Sequence, residues 1–86
     1  MVELIINKFG DKGWRQNKEY HRIGRPAITW LVGYEYWYQY GKLHRLNGPA
    51  KKTPLNSNDT WYYQGLLIDC NTQEEFERII KLRLLW

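Results

Sequence analysis

Aromatic and apolar residues alternate with polar ones through most of the chain, in short runs closed by Gly or Pro. A period of two is the signature of strands with one covered face. Trp37-Tyr38-Gln39-Tyr40 has strong strand preference. Gly41-Lys42 reads as a tight turn, and Leu43-His44-Arg45-Leu46 resumes an alternating strand. Asn47-Gly48-Pro49 forces a second turn, because Gly tolerates positive φ and Pro fixes its own. Ala50-Lys51-Lys52-Thr53 then begins the next strand. Upstream, Ala27 to Val32 is the clearest strand, Gly33 punctuates it, and Tyr34 to Tyr38 returns. Val2 to Phe9 alternates weakly as a leading strand. Only the last segment changes period. Thr72 followed by Glu75 is a capping box, and Phe76, Ile79, Ile80 and Leu84 form an apolar stripe flanked by Leu82 and Trp86. Arg83 falls inside that stripe, so either the helix ends there or the side chain snorkels.

The strand pattern repeats itself. His21-Arg22-Ile23-Gly24-Arg25-Pro26-Ala27 lines up with His44-Arg45-Leu46-Asn47-Gly48-Pro49-Ala50 at an offset of 23, and Trp14 and Gln16 fall on Trp37 and Gln39. A partial third copy, Trp61-Tyr62-Tyr63-Gln64-Gly65, follows Trp37 at an offset of 24, with the extra residue in the polar stretch Asn56-Ser57-Asn58-Asp59. The expected fold class is α+β: an antiparallel β-meander of 23-residue hairpin repeats, with an N-terminal strand and a C-terminal capping helix over about residues 72–84. Residues 1–86 form a single domain, divided into a leading strand and turn (1–13), about two and a half repeats (14–69) and the helix segment (70–86). An incomplete last repeat leaves an open sheet end, and covering it is the helix's expected role.

Composition sharpens this picture in three places. Five Trp, seven Tyr and two Phe in 86 residues are more rings than so short a chain can enclose, so some stay partly exposed. The net charge of +4 is uneven. Residues 1–52 carry ten Lys and Arg against Glu3, Asp11, Glu19 and Glu35, a net of +6; residues 53–86 carry three against five acids, a net of −2. Such polarity either steers an acidic partner or reflects two solvated faces. The single cysteine, Cys70, excludes an intramolecular disulfide, and no segment reads as a signal peptide or membrane span. A reduced, cytoplasmic protein is the expectation.

With Gly41-Lys42-Leu43-His44-Arg45-Leu46-Asn47-Gly48 in view, the unit resembles the MORN repeat, which shares the period and the Gly-Lys-x-His turn. It is closer still to a MORN-like variant of small bacteriophage proteins, in which an aromatic pair and Gly-Lys precede His-Arg-x-x-Gly-Pro-Ala. The closing segment from Glu74-Glu75-Phe76-Glu77 to Trp86 also looks like the tail of such proteins. The resemblance covers about residues 14–86. The first copy departs from it, with Lys18 where the turn Gly belongs and Gly24-Arg25 where an acidic residue and Gly are usual. The resemblance implies a non-catalytic scaffold that binds proteins or acidic lipids, with a host protein as target and the host cytoplasm as location if the source is a phage.

Little here suggests reaction chemistry. His21 and His44 occupy equivalent positions, as a structural role predicts in which each hydrogen-bonds a turn in its own unit, and they lack the further ligands that a metal would need. Ser57 and Cys70 have no basic partner nearby in sequence, and the glycines do not form a phosphate cradle. No enzyme activity, cofactor or metal is expected. Arg22 and Arg45 lack the acidic neighbour of the family pattern, so they either bind an anion or stack on a Trp or Tyr, with Arg25 adding charge beside Arg22. Tyr34, Tyr36, Tyr38 and Tyr40 alternate onto one strand face, opposite Glu35, Trp37 and Gln39. That stripe is a binding face or the core side; Trp37, as the repeated position, favours tyrosines outside. Arg22, Arg25, Tyr34, Tyr36, Tyr38, Tyr40 and Arg45 are therefore the candidate partner-binding residues. The leading expectation is a module that inhibits or redirects a host protein. A nucleic-acid-binding protein using the basic, aromatic sheet face is the alternative. An open strand edge at the amino end allows either homodimerisation or addition of a partner strand.

Overall fold

The computed structural model describes residues 2–56 and 58–84, so Ser57 and Trp86 of the sequence reading lie outside the described residues. The molecule is a thin slab, 42 × 30 × 16 Å, of mostly antiparallel sheet with one C-terminal helix. A slab of one sheet layer cannot bury both faces, which accounts for the many half-covered strand residues.

The leading strand β1 (Glu3–Ile6) pairs along β2 (Lys12–Gln16), which continues through a tight turn into β3 (Glu19–Tyr20). The start of β2 also pairs with β4 (Ile28–Thr29), which pairs with β5 (Glu35–Tyr36), and β5 pairs with β8 (Lys51–Lys52). Between them, β6 (Tyr38–Gln39) and β7 (Lys42–Leu43) form a second short hairpin. A third joins β9 (Trp61–Tyr63) to β10 (Leu66–Ile68), tied to β8 by a bridge between Lys51 and Thr60.

The continuous strands expected over 27–32 and 34–38 are shorter than the alternation suggested. Only Ile28–Thr29 pairs in the first, and the second breaks at Trp37 between β5 and β6. The break has a cause. At Trp14 and Trp37 the chain changes partner, and each Trp N–H donates to the carbonyl of Ala27 or Ala50 at 2.7 Å while its own carbonyl accepts from His21 or His44. The tight turns also sit one residue earlier than Gly41-Lys42. Their central residues are Asn17–Lys18, Tyr40–Gly41 and Gln64–Gly65, all at positive φ, as a two-residue hairpin turn requires. Lys18 is held at φ 67° where the other two turns have glycine. Lys18→Gly should therefore raise stability by roughly 0.5–1 kcal/mol, the left-handed penalty less glycine's extra chain entropy. An unchanged or lowered urea midpoint would contradict this.

The helix lies where expected, but its covered stripe is Phe76, Ile79 and Ile80, and Leu84 is exposed. Thr72 Oγ1 accepts from the Glu75 N–H at 3.1 Å and donates to Glu75 Oε1, and that carboxylate also accepts from the Asn71 N–H. From this cap α1 runs Gln73–Leu84, with Arg83 inside it and exposed. Phe76 and Ile80 pack on Trp61 and Ile68 of the third hairpin, so the helix covers that end of the sheet. Gln73 Oε1 accepts from Trp61 Nε1 at 2.8 Å, and its amide donates to the Leu46 carbonyl.

Candidate functional site: the tyrosine-lined sheet face

Cross-strand register decides which side chains share a face. Residues directly opposite in adjacent strands lie on the same side. Ile5 faces Gly13, Gly13 faces Ile28, Ile28 faces Tyr36, Tyr36 faces Lys51 and Lys51 faces Thr60. This row crosses the whole sheet. Tyr20 lies over Gly13, where an added Cβ would come within 3.2 Å of its ring, and it meets Tyr38 with ring centroids 5.6 Å apart. Trp30 packs edge-on against Tyr36 at 4.6 Å and Tyr34 at 6.3 Å. Lys51 extends its ammonium to 5.2 Å from the Tyr36 ring and 5.5 Å from that of Tyr62. Among the described residues no carboxylate forms a salt bridge with Lys51. Burial, followed by smaller charge effects in which Lys51 opposes the neighbouring tyrosines, holds the Tyr38 hydroxyl above its ordinary pKa, so it stays a neutral donor.

The result is a shallow aromatic trough with three hollows. One of about 210 Å³ is bounded by Ile5, Arg15, Tyr20, Ile28 and Trp30. A second, about 250 Å³, is lined by Trp30, Val32, Tyr34 and Tyr36, and a third, about 370 Å³, is bounded by Tyr34, Tyr36, Lys51, Thr60 and Tyr62. The face combines ring edges, hydroxyls and cations, and it can take up an extended chain bearing apolar and acidic groups.

On the opposite face the arginines stack on tryptophans, although Trp37 Nε1 and Arg45 Nε are buried without a hydrogen-bond partner among the described residues. The Arg22 guanidinium stacks on the Trp14 ring at 3.8 Å and donates to the Pro26 carbonyl at 3.4 Å. Arg45 stacks on Trp37 at 3.6 Å and donates to the Pro49 carbonyl at 3.1 Å. The second arrangement is tighter because Gly48 lies under the guanidinium, where a Cβ would stand 2.6 Å from Arg45 Cζ. In the first unit that position is Arg25, whose own charge, after burial, lowers the pKa of Arg22. Burial lowers that of Arg45 too, against the opposing pull of Glu35 and Asp59.

The seven candidates therefore separate. Tyr36 and Tyr38 line the trough and Tyr34 stands at its rim. Tyr40 leaves the stripe: it is a turn residue at φ 52°, its ring 4.3 Å from that of His21. Arg22 and Arg45 take the stacking alternative on the other face, and Arg25 is exposed in a bend. Tyr20, Trp30, Lys51 and Tyr62 join the trough unannounced by the linear pattern, since register alone brings them beside Tyr36 and Tyr38. Tyr62 had one available signal, its place after the third repeated Trp.

The histidines also differ from expectation, tying neighbouring units together rather than their own. His21 Nδ1 accepts from the Tyr40 N–H, and His44 Nδ1 from the Gln64 N–H, both at 2.9 Å. Burial lowers the pKa of His44 from its ordinary 6.5. The unfolded chain therefore binds a proton before the folded one does, and stability should be fullest above pH 6.5 and fall as pH drops through the lower folded value. Thermal melts between pH 7.5 and 5 should show this slope, reduced in His44→Asn, whose amide oxygen keeps an acceptor but does not titrate. An undiminished slope in that variant would contradict the assignment. At Cys70, burial first, then Glu75 and Asp69, push the thiol pKa up, away from the reactive thiolate. Among the described residues no helix is long and apolar enough to cross a membrane.

No family model, curated protein or solved structure matches this chain.

Proposed function

We propose that this chain is a small non-catalytic, MORN-like binding module of phage type, which inhibits or redirects a host protein by receiving an extended segment of it in the tyrosine trough. The observation carrying this reading is the row from Ile5 to Thr60, with Tyr20, Tyr36, Tyr38 and Tyr62 turned to the uncovered face. Tyrosine gives large, rigid contact area with a hydroxyl to pair, which is why it recurs in protein interfaces. The chemistry of the remaining groups agrees: the arginines serve Trp rings and carbonyls, the histidines accept turn N–H groups, and the thiol is held protonated.

Lys51 between two rings also suits a nucleic-acid strand, with bases stacked on tyrosines. Affinity capture from host lysate with and without nuclease separates the two readings. The expected result is one stoichiometric protein that survives nuclease. Tyr36→Ser should weaken its binding by about 10-fold or more, as loss of a central interface tyrosine does, whereas Tyr40→Ser should not. Capture abolished by nuclease, or insensitive to Tyr36, would overturn the proposal.

A further inference from the structure

The trough is a string of hollows separated by rings. Trp30 borders both the first and the second, and Tyr34 and Tyr36 border both the second and the third. The string follows the cross-strand row, so a chain lying in it runs across the strands and adds to no sheet edge. Along that row Tyr36 and Thr60 flank Lys51, and Tyr62 stands two residues beyond Thr60 on the same face. Tyr36 and the strand that carries Tyr62 are thus two strand spacings apart, about 9.5 Å. A polyproline II helix has three residues per turn and rises about 3.1 Å per residue, so one of its faces recurs about every 9.3 Å. The Lys51 ammonium, 5.2 Å from the Tyr36 ring and 5.5 Å from that of Tyr62, marks the gap between the two.

The polar groups around the trough are rich in donors. The Trp30 indole N–H, the Lys51 ammonium and the hydroxyls of Tyr34, Tyr36 and Tyr62 have no hydrogen-bond partner among the described residues. Asp11, the carboxylate bordering the first hollow, already accepts from the Leu31 N–H and the Asn7 amide. Hydroxyls work either way, but the indole and the ammonium only donate. An ordinary extended peptide brings one N–H for each carbonyl, and its N–H groups find few acceptors on such a surface. Proline brings a carbonyl and no N–H, and a polyproline II helix pairs none of its carbonyls internally.

We infer that the trough takes a proline-rich segment in the polyproline II conformation, with prolines three apart on the Tyr36 and Tyr62 rings, a carbonyl on the Trp30 indole N–H and an acidic side chain on Lys51. The inference rests on the proposed reading of the trough as a protein-binding site and names the chemistry of its occupant. Pitch selects the helix, the excess of donors selects proline, and the unpaired ammonium selects the acid. A polyproline II segment is extended before it binds, and proline has no side-chain rotamers to freeze. Little ordering cost therefore opposes binding to so shallow a site.

Titration of the isotope-labelled protein with a dodecapeptide of repeating Pro-Pro-Asp, followed by nuclear magnetic resonance, tests the assignment. The control peptide, repeating Ala-Gly-Asp, has the same length and charge but no preference for that helix. The expected result is saturable shifts at the Trp30 indole N–H and at the Tyr36 and Tyr62 amides. The dissociation constant should lie about 10-fold or more below that of the control. Trp30→Phe keeps a ring but removes the donor, and it should weaken binding about 5-fold, the worth of one hydrogen bond. Lys51→Gln should abolish the preference for Pro-Pro-Asp over Pro-Pro-Gln, and the spectra of both free variants should show the fold kept. Equal affinity for proline and control peptides, or shifts away from the trough, would overturn the inference. A captured host protein that binds through Tyr36 but is not displaced by saturating Pro-Pro-Asp peptide would leave the trough reading standing and this one refuted. An oligothymidylate that binds through Tyr36 while neither peptide does would overturn both.

Discussion

Phe76→Ala is expected to lower stability by about 3–5 kcal/mol, the range for emptying a buried phenylalanine site. Phe76 is only 1% exposed, and the cluster it joins holds Trp61, Ile68 and Ile80. Among the described residues, no second buried apolar cluster shares the loss. Since a domain of this size has roughly 5–15 kcal/mol in all, the variant should sit at or near its unfolding threshold at 25 °C. Urea titration followed by far-ultraviolet circular dichroism measures the effect. Tryptophan fluorescence in the same titration reports all five indoles, Trp61 of the third hairpin among them, and the two signals should move together. A loss below about 1 kcal/mol would mean that the helix is an accessory rather than the cover of the sheet end.

Ala50→Leu is expected to cost about 1–3 kcal/mol or more, by overpacking rather than by cavity. Ala50 and Ala27 are both 0% exposed, and each stands where its carbonyl receives the Trp N–H at the strand's change of partner. A leucine there must displace backbone at the point where two pairings meet, and the short hydrogen bond from Trp37 goes first. Ala27→Leu should behave alike at Trp14. The looser Arg22 stack on that ring leaves more room to adjust, so its cost should be the smaller of the two. Equal chemical-denaturation midpoints for wild type and Ala50→Leu would show that the alanine is incidental.

Some features follow from chemistry a few residues long. The Thr72–Glu75 cap needs only its own turn, and α1 begins where that box places it. Turn glycines and the Gly-Pro-Ala segments mark the punctuation between strands for the same reason. The tyrosine stripe was legible only as far as Tyr38. Alternation assigns faces correctly while a strand keeps its partners, and at Trp37 the chain exchanges β8 and β4 for β7, while Tyr40 turns at positive φ. Arg22 and Arg45 illustrate the converse. Their sequence surroundings left them open to an anion or a ring, and proximity to Trp14 and Trp37 decided for the rings.

By itself the sequence determined the class of fold, its internal repetition, the capped helix and the surplus of rings that must stay partly exposed, because these depend on local propensity, period and surface-to-volume ratio. The tertiary structure alone decided that Tyr20, Trp30, Tyr36, Lys51 and Tyr62 share one trough. That is a consequence of strand register, which brings together residues tens of positions apart and which no short window of sequence encodes.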